Sequence, residues 1–234
     1  MSLSVVTFKW DKPGYRSKFT SEHVNTLYSM IKRNYPHPFT LTCITDNPAG
    51  IDSRIRVLPL WDTFAAVPSP HRGNNPSCFR RLRLWSTEMR DLIGPRILQI
   101  DLDMVICADP SPLWNRREDI VLWADKLNPT TPYNGAMQLF TAGTRPDVYE
   151  TFDPSTSPKL ANSHGYWGTD QAWISYVLGP GEARWTQADG ALSWRVHCKM
   201  YAQFPPQARI VNFHGAEDPW TVANRIPCVS EHYR

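Results

Sequence analysis

The stretch Arg96-Ile97-Leu98-Gln99-Ile100-Asp101-Leu102-Asp103-Met104-Val105-Ile106 constrains this chain more than any other. An apolar run that enters two carboxylates reads as a buried strand whose carboxyl end emerges at an open edge, because anions inside a sheet must be paired or bound to metal. Along a strand, residues two apart share a face, so Asp101 and Asp103 can converge on one cation while Leu102 packs behind them. Hard oxygen ligands suit magnesium or manganese, which keep coordination positions open for water and substrate phosphates. The pair therefore points to a metal-bridged diphosphate. The bland alternative is a solvated turn closing an ordinary strand.

The 234 residues suffice for one sizeable core, and a single domain over 1–234 is expected. No run of about 18 apolar residues is present to cross a bilayer. The opening segment, Met1 to Lys9, lacks a basic region followed by a long apolar one and runs directly into a strand pattern, so a cytoplasmic protein is expected. Five widely spaced cysteines (Cys43, Cys78, Cys107, Cys198, Cys228) without a C-x-x-C indicate neither a disulfide framework nor a zinc site. A formal charge of +3 does not announce nucleic acid. Arg72, Arg80, Arg81, Arg83 and Arg90 nevertheless cluster, either as an anion-attracting patch or as a solvated helix face.

Strand and helix patterns alternate along the chain. Ser4 to Trp10 reads as a first strand, and Ser21 as the cap of a helix carrying Val24, Leu27, Tyr28 and Ile31 on one stripe. Phe39 to Thr45 and Arg54 to Leu58 read as further strands. The fold class expected is therefore α/β, with a mixed, mostly parallel central sheet covered by helices on both faces. Pro59 to Pro76 carries few periodic signals, and loops of that length in a compact domain usually serve function. Cys78, Leu82, Trp85, Met89 and Leu92 recur at helical spacing up to Gly94-Pro95, which predicts a strong helix whose first arginines reach the diphosphate. Ile120 to Ala124 and Tyr133 to Phe140 are strands, the second entered through Asn134-Gly135-Ala136, where small residues suit close approach of backbone to ligand. Thr169 is the expected cap of a helix opened by Asp170-Gln171 and ended by Gly179-Pro180-Gly181. Asp170 there also has a plain reading, a favourable interaction with the helix dipole. Arg209 to Phe213 is a short strand leading to His214-Gly215.

These landmarks in this order, from Val5 to Trp220, resemble the GT-A (Rossmann-like) glycosyltransferases, and among them the retaining family that includes glycogenin and the bacterial lipooligosaccharide galactosyltransferases. Asp101-Leu102-Asp103 is similar to that family's DxD, which holds manganese (or magnesium) against the donor diphosphate. Arg81, followed by Leu82 and Trp85, stands where the family usually has a lysine. Asn134-Gly135-Ala136 resembles its N-(S/A)-G segment beside the sugar, one residue compressed, and Asp170-Gln171 its DQ pair near the transferred sugar. Thr7 and Tyr15 are similar in placement to residues that hold the nucleotide base. The resemblance implies catalytic roles for Asp170, Gln171 and Asn134, and donor contacts for Thr7, Tyr15, Arg81, Asp101, Leu102, Asp103 and Gly215.

In the family's C-terminal H-F-x-G-x-x-K-P-W, the histidine ligates metal and the lysine binds the leaving diphosphate. This chain reads Asn212-Phe213-His214-Gly215-Ala216-Glu217-Asp218-Pro219-Trp220, with Asn212 at the histidine position and Asp218 at the lysine position. His214, two residues on, shares a face with Asn212 in an extended chain and is the favoured third ligand, ahead of the Asn212 carbonyl oxygen.

The resemblance implies metal-dependent transfer of a hexose from a nucleotide sugar, UDP-linked, with retention. The acceptor stays open among saccharide, glycolipid, protein and a hydroxymethylated DNA base. No basic or amphipathic tail favours a membrane-anchored acceptor. Two rivals stand beside this reading. A haloacid-dehalogenase-type phosphatase also uses a strand-end Asp-x-Asp, but in its first strand and followed by Gly and Thr or Val, whereas here Met104 follows a central strand. A catalytically dead nucleotide-sugar-binding module is the other, raised by Asp218.

Overall fold

The computed structural model describes residues 2–11, 15, 17–71, 77–125 and 127–234. Seven strands form the main sheet: β1 (Leu3–Lys9), β2 (Phe39–Thr45), β3 (Arg56–Pro59), β4 (Arg96–Ile100), then β6 (Ile120–Ala124), β7 (Tyr133–Thr141) and β8 (Ala183–Trp185). Between β4 and β6 in the chain lies β5 (Met104–Ile106), which joins β9 (Ala191–Ser193) and β10 (Ile210–Asn212) in a second, three-stranded sheet. The main sheet runs in the order β3-β2-β1-β4-β7-β6-β8, and only β7 opposes its neighbours, so the expected mixed, mostly parallel α/β sheet is what forms. Carboxyl ends of β1, β4 and β6 and the amino end of β7 consequently meet at one edge. Open α/β sheets place their sites at such an edge.

Alternation along the strands builds a core on each side. Leu3 and Val5 of β1 join the cluster covered by the helix Ser21–Asn34, through Val24, Leu27, Met30 and Ile31, while Val6 and Phe8 join the cluster around Trp85, Phe140 and Trp173.

Four expectations are corrected. The run Arg96 to Ile106 is two strands in different sheets, and the two acids lie in the turn between them. Residues 78–92 do not make one α-helix: Phe79–Trp85 winds as 3₁₀ turns and Met89–Leu92 is a single α-turn. In a 3₁₀ turn residues three apart eclipse, which buries Phe79, Leu82 and Trp85 along one row and Arg81 with Leu84 along the next. Thr20, not Ser21, holds the cap position of the first long helix, and its N–H donates to His23 Nδ1 at 3.0 Å. Thr169 stands at the cap position of the helix Asp170–Leu178 but makes no side-chain cap bond, because its hydroxyl donates to Asp170 Oδ1 and accepts from the Cys78 N–H.

Candidate active site

Arg81 organises the site. Its Nε and Nη2 donate to the two oxygens of Asp170 at 2.7 and 3.1 Å, and its Nη1 donates to Asp101 Oδ1 at 2.6 Å. Burial is nearly complete at the guanidinium and at Asp170, with side chains 9% and 2% exposed. A charge placed there must be paired, and two carboxylates pair it. The 3₁₀ row described above is what turns Arg81 inward. The other arginines of the segment go elsewhere: Arg80 lies over the Trp10 ring, Arg83 pairs with Glu88 over the Trp61 ring, and Arg90 is exposed. Arg72 lies outside the described residues.

Room for the Arg81 bridge comes from a bulge. The β6–β7 register jumps between Leu122↔Gln138 and Trp123↔Asn134, leaving Gly135, Ala136 and Met137 without partners on β6. At Gly135 a Cβ would stand 2.9 Å from Arg81 Nη2, so the small residue that the sequence assigns to close ligand approach is occupied by this guanidinium. Gly168, with φ +113°, serves Gln171 in the same way: a Cβ there would come within 2.4 Å of the glutamine side chain. Gln171 Oε1 accepts from the Gly135 N–H, and its Nε2 donates to Asp125 Oδ2 and to the Trp167 carbonyl. Asn134 Oδ1 accepts from the Ala136 N–H.

Two cavities share Arg81 in their linings. The first is lined by Phe8, Trp10, Tyr15, Phe19, Asp101 and Asp103, an aromatic slot with acids at its floor. The second is lined by His71, Asp125, Asn134, Trp167, Asp170, Gln171 and His214. Tyr15 thus faces the slot, Leu102 is buried behind the acids, and Gly215 is exposed, while Thr7 is fully buried in β1 with its hydroxyl unpaired.

The acids are held against their ionisation. Burial pushes the Asp101 carboxyl up to about 6, with Arg81 opposing that shift and Asp170 adding to it. Gln99 Nε2, two residues earlier on the same strand face, donates to Asp101 Oδ1 at 2.8 Å. Asp103 is raised well above the carboxylate range, first by burial and then by Asp101 and Asp218.

Asp103 Oδ1 and Asn212 Oδ1 are buried oxygens with no hydrogen-bond partner, and so is the Tyr233 hydroxyl. In the second sheet Asn212 lies opposite Met104 and the Phe213 N–H donates to the Asp103 carbonyl at 3.0 Å, so Asn212 shares the Met104 face and lines a small cleft with Ser193, His197 and His214, while Asp103 lines the aromatic slot. His214 sits apart from the aromatic slot. Its Nε2 is 2.6 Å from Ser193 Oγ, a hydrogen bond whose direction follows the imidazole tautomer, and the same oxygen accepts from the Val196 N–H. Burial lowers the His214 pKa. Among the described residues no group of three or more His, Cys, Asp or Glu side chains is disposed to hold a metal. Asp101 and Asp103 line one slot as hard oxygen donors, and the orphaned Asp103 oxygen there fits a hard divalent cation.

Asp218 is buried, its carboxylate accepts from Ser17 Oγ at 3.1 Å through both oxygens, and its backbone N–H donates to Thr221 Oγ1 at the start of Pro219–Val222. Asp125, Gln99, Trp167 and Ser193 were not singled out by sequence. Asp125 carries the signal that marks Asp101, an acid directly after an apolar strand, and Gln99 is betrayed by its period-two relation to Asp101.

No protein-family model and no curated protein matches the chain by sequence. Its structure is similar to the galactosyltransferase LgtC solved in complex with donor and acceptor sugar analogs, with a TM-score of 0.65 at 12% identity over 98% of this chain and 96% of that one. It is also similar to the glycosyltransferase GlyE of Streptococcus pneumoniae TIGR4, with a TM-score of 0.57 at 11% identity over 93% of this chain and 56% of that one. The bifunctional glycosyltransferase WbbM gives a TM-score of 0.56 at 12% identity over 94% of this chain and 47% of that one. At such identities the shared property is the architecture. The chain has the GT-A fold of these glycosyltransferases.

Proposed function

We propose that the chain is a glycosyltransferase that moves a hexose from a nucleotide sugar, UDP-linked, to an acceptor hydroxyl with retention of anomeric configuration, and that it uses manganese or magnesium. The observation that carries this reading is the Arg81 bridge, which ties an acid of the Asp101-Leu102-Asp103 turn to the Asp170 carboxylate at the junction of two cavities. A fold needs no such buried triad for stability, since apolar residues of equal volume serve as well or better.

In this reading the aromatic slot around Tyr15 takes the nucleotide, with Leu102 and Gly215 beside the donor and Thr7 beneath it. Asp101 and Asp103 would hold the divalent ion, with His214 or Asn212, which line one cleft, completing its protein ligands. The ion supplies positive charge against the leaving diphosphate, whose charge grows as the anomeric carbon becomes oxocarbenium-like. Arg81 adds a fixed cation at the same place, taking the part that Asp218 leaves unfilled. Asp170, Gln171 and Asn134 orient sugar hydroxyls and the incoming acceptor in the second cavity. His214 lies within hydrogen-bond distance of Ser193 and also lines the second cavity with Asp125.

Release of UDP from UDP-hexoses with and without manganese tests the proposal. Metal-dependent release without phosphate-monoester cleavage is expected. Cleavage of monoesters alone supports the phosphatase, and no turnover of either substrate supports the dead module.

A further inference from the structure

We propose that the turn Trp194–Tyr201 is a docking surface for an anionic lipid bilayer. After β9 the chain winds through a π-helical turn, Trp194–Cys198, and a 3₁₀ turn, Lys199–Tyr201, closed by Ala202 in the left-handed region at φ 48°. A residue with a Cβ adopts that conformation at a cost, so the turn is held in place rather than left to relax. The hold is visible. Trp194 and Cys198 are buried, the Trp194 ring stacks on Phe213 at 4.9 Å, and its Nε1 donates to Glu217 Oε2.

The opposite side of the turn faces water with apolar groups. Met200 is 83% exposed, Tyr201 69% and Val196 46%, three of the seven large exposed apolar side chains among the described residues, gathered within six positions. Cations surround them. Arg195 is exposed, and the Lys199 and Arg225 side chains are 54% and 64% exposed. Their common acid, Glu217, is only 23% exposed and spends its carboxylate on Lys199, Arg225 and Trp194. An apolar tip ringed by long basic side chains matches a membrane interface, where the tip enters the headgroup boundary and the cations meet anionic lipid. Three apolar side chains alone anchor weakly, so the charge of the bilayer is required.

The placement gives the surface a use. Ser193 and His197 at the root of the turn line a small cleft with Asp125, Asn134, Asn212 and His214, and a Cβ at Gly215 would lie 3.8 Å from Arg195 Nη1. Docking by this turn sets the mouth of the second cavity against the bilayer. The surface itself is defined without reference to the chemistry inside the cavity, so its test stands apart from any assay of turnover.

Co-sedimentation of the full chain with vesicles of phosphatidylcholine alone, and of phosphatidylcholine mixed with phosphatidylglycerol, reads the partition directly. Binding to the anionic vesicles and none to the neutral ones is expected at physiological ionic strength. The double variant Met200→Glu/Tyr201→Glu should lose about tenfold or more in partition, and Arg225→Ala about fivefold. Leu160→Glu, an exposed apolar position elsewhere, should bind as wild type. Equal binding to both vesicle types, no binding to anionic vesicles, or undiminished binding of the double variant overturns the proposal.

Discussion

Arg81 and Asp170 are joined by two parallel hydrogen bonds of 2.7 and 3.1 Å, although 89 residues separate them in the chain. Lysine preserves the charge but not the fork. Arg81→Lys should therefore fold and lose most donor turnover, while Arg81→Ala strands the buried Asp170 carboxylate and the partly exposed Asp101 and should lose about 3 kcal/mol of stability. Urea unfolding and UDP release on the same preparations separate the two effects. A fully active Arg81→Lys enzyme would contradict the assigned role.

Asp103 gives a pH dependence of stated sign. Its carboxyl is raised above the ordinary value of 3.8 in the folded chain, so ionisation opposes folding: stability contributed by the protonated form is present at low pH and is lost as pH rises through the folded pKa. Asp103→Asn should melt above wild type in chelator at about pH 8, with the gap narrowing toward about pH 5, at roughly 2–4 °C per kcal/mol. Manganese should raise the melting temperature of wild type and not of the variant. Calorimetry at the two pH values decides this.

Asn212 and His214 can be told apart by manganese binding. The imidazole Nε2 is engaged by Ser193, whereas the Asn212 oxygen in the same cleft is buried without a partner. Asn212→Ala should weaken manganese binding by about tenfold or more, as losses around metal sites commonly do, and His214→Ala should leave it near wild type. Titration followed by electron paramagnetic resonance reports free manganese without any turnover. The reverse order would assign the ligand role to His214.

Asp218→Lys, which recreates the family's lysine, should not gain activity. The substitution removes the acceptor for Ser17 and buries a cation where a carboxylate is satisfied, costing about 2–4 kcal/mol. Chemical denaturation measures that loss, and an unchanged midpoint would show the lysine to be tolerated there.

Much of this was legible in the sequence because periodicity reports burial. Phe39–Thr45 and Ile120–Ala124 form as read, and the alternation of Val5 and Val6 fixes two cores on one strand. The segment 78–92 misleads because spacings of three and four overlap: Phe79, Leu82 and Trp85 satisfy a 3₁₀ row as well as an α-helical stripe, and only the 3₁₀ row buries Arg81. The second sheet was hidden for a different reason. Its strands are three residues each and drawn from distant parts of the chain, so no local pattern announces that Asn212 will lie opposite Met104. Nor does composition reveal that a glycine bulge on β7 is shaped around an arginine.

The most direct test of the whole account is UDP release from a UDP-hexose, with saturating manganese, by wild type and by Asp103→Ala in parallel with their melting curves. Metal-dependent release by wild type, abolished in a variant that still folds, is the result the account predicts. Release that persists in Asp103→Ala, or that ignores chelator in wild type, would contradict it.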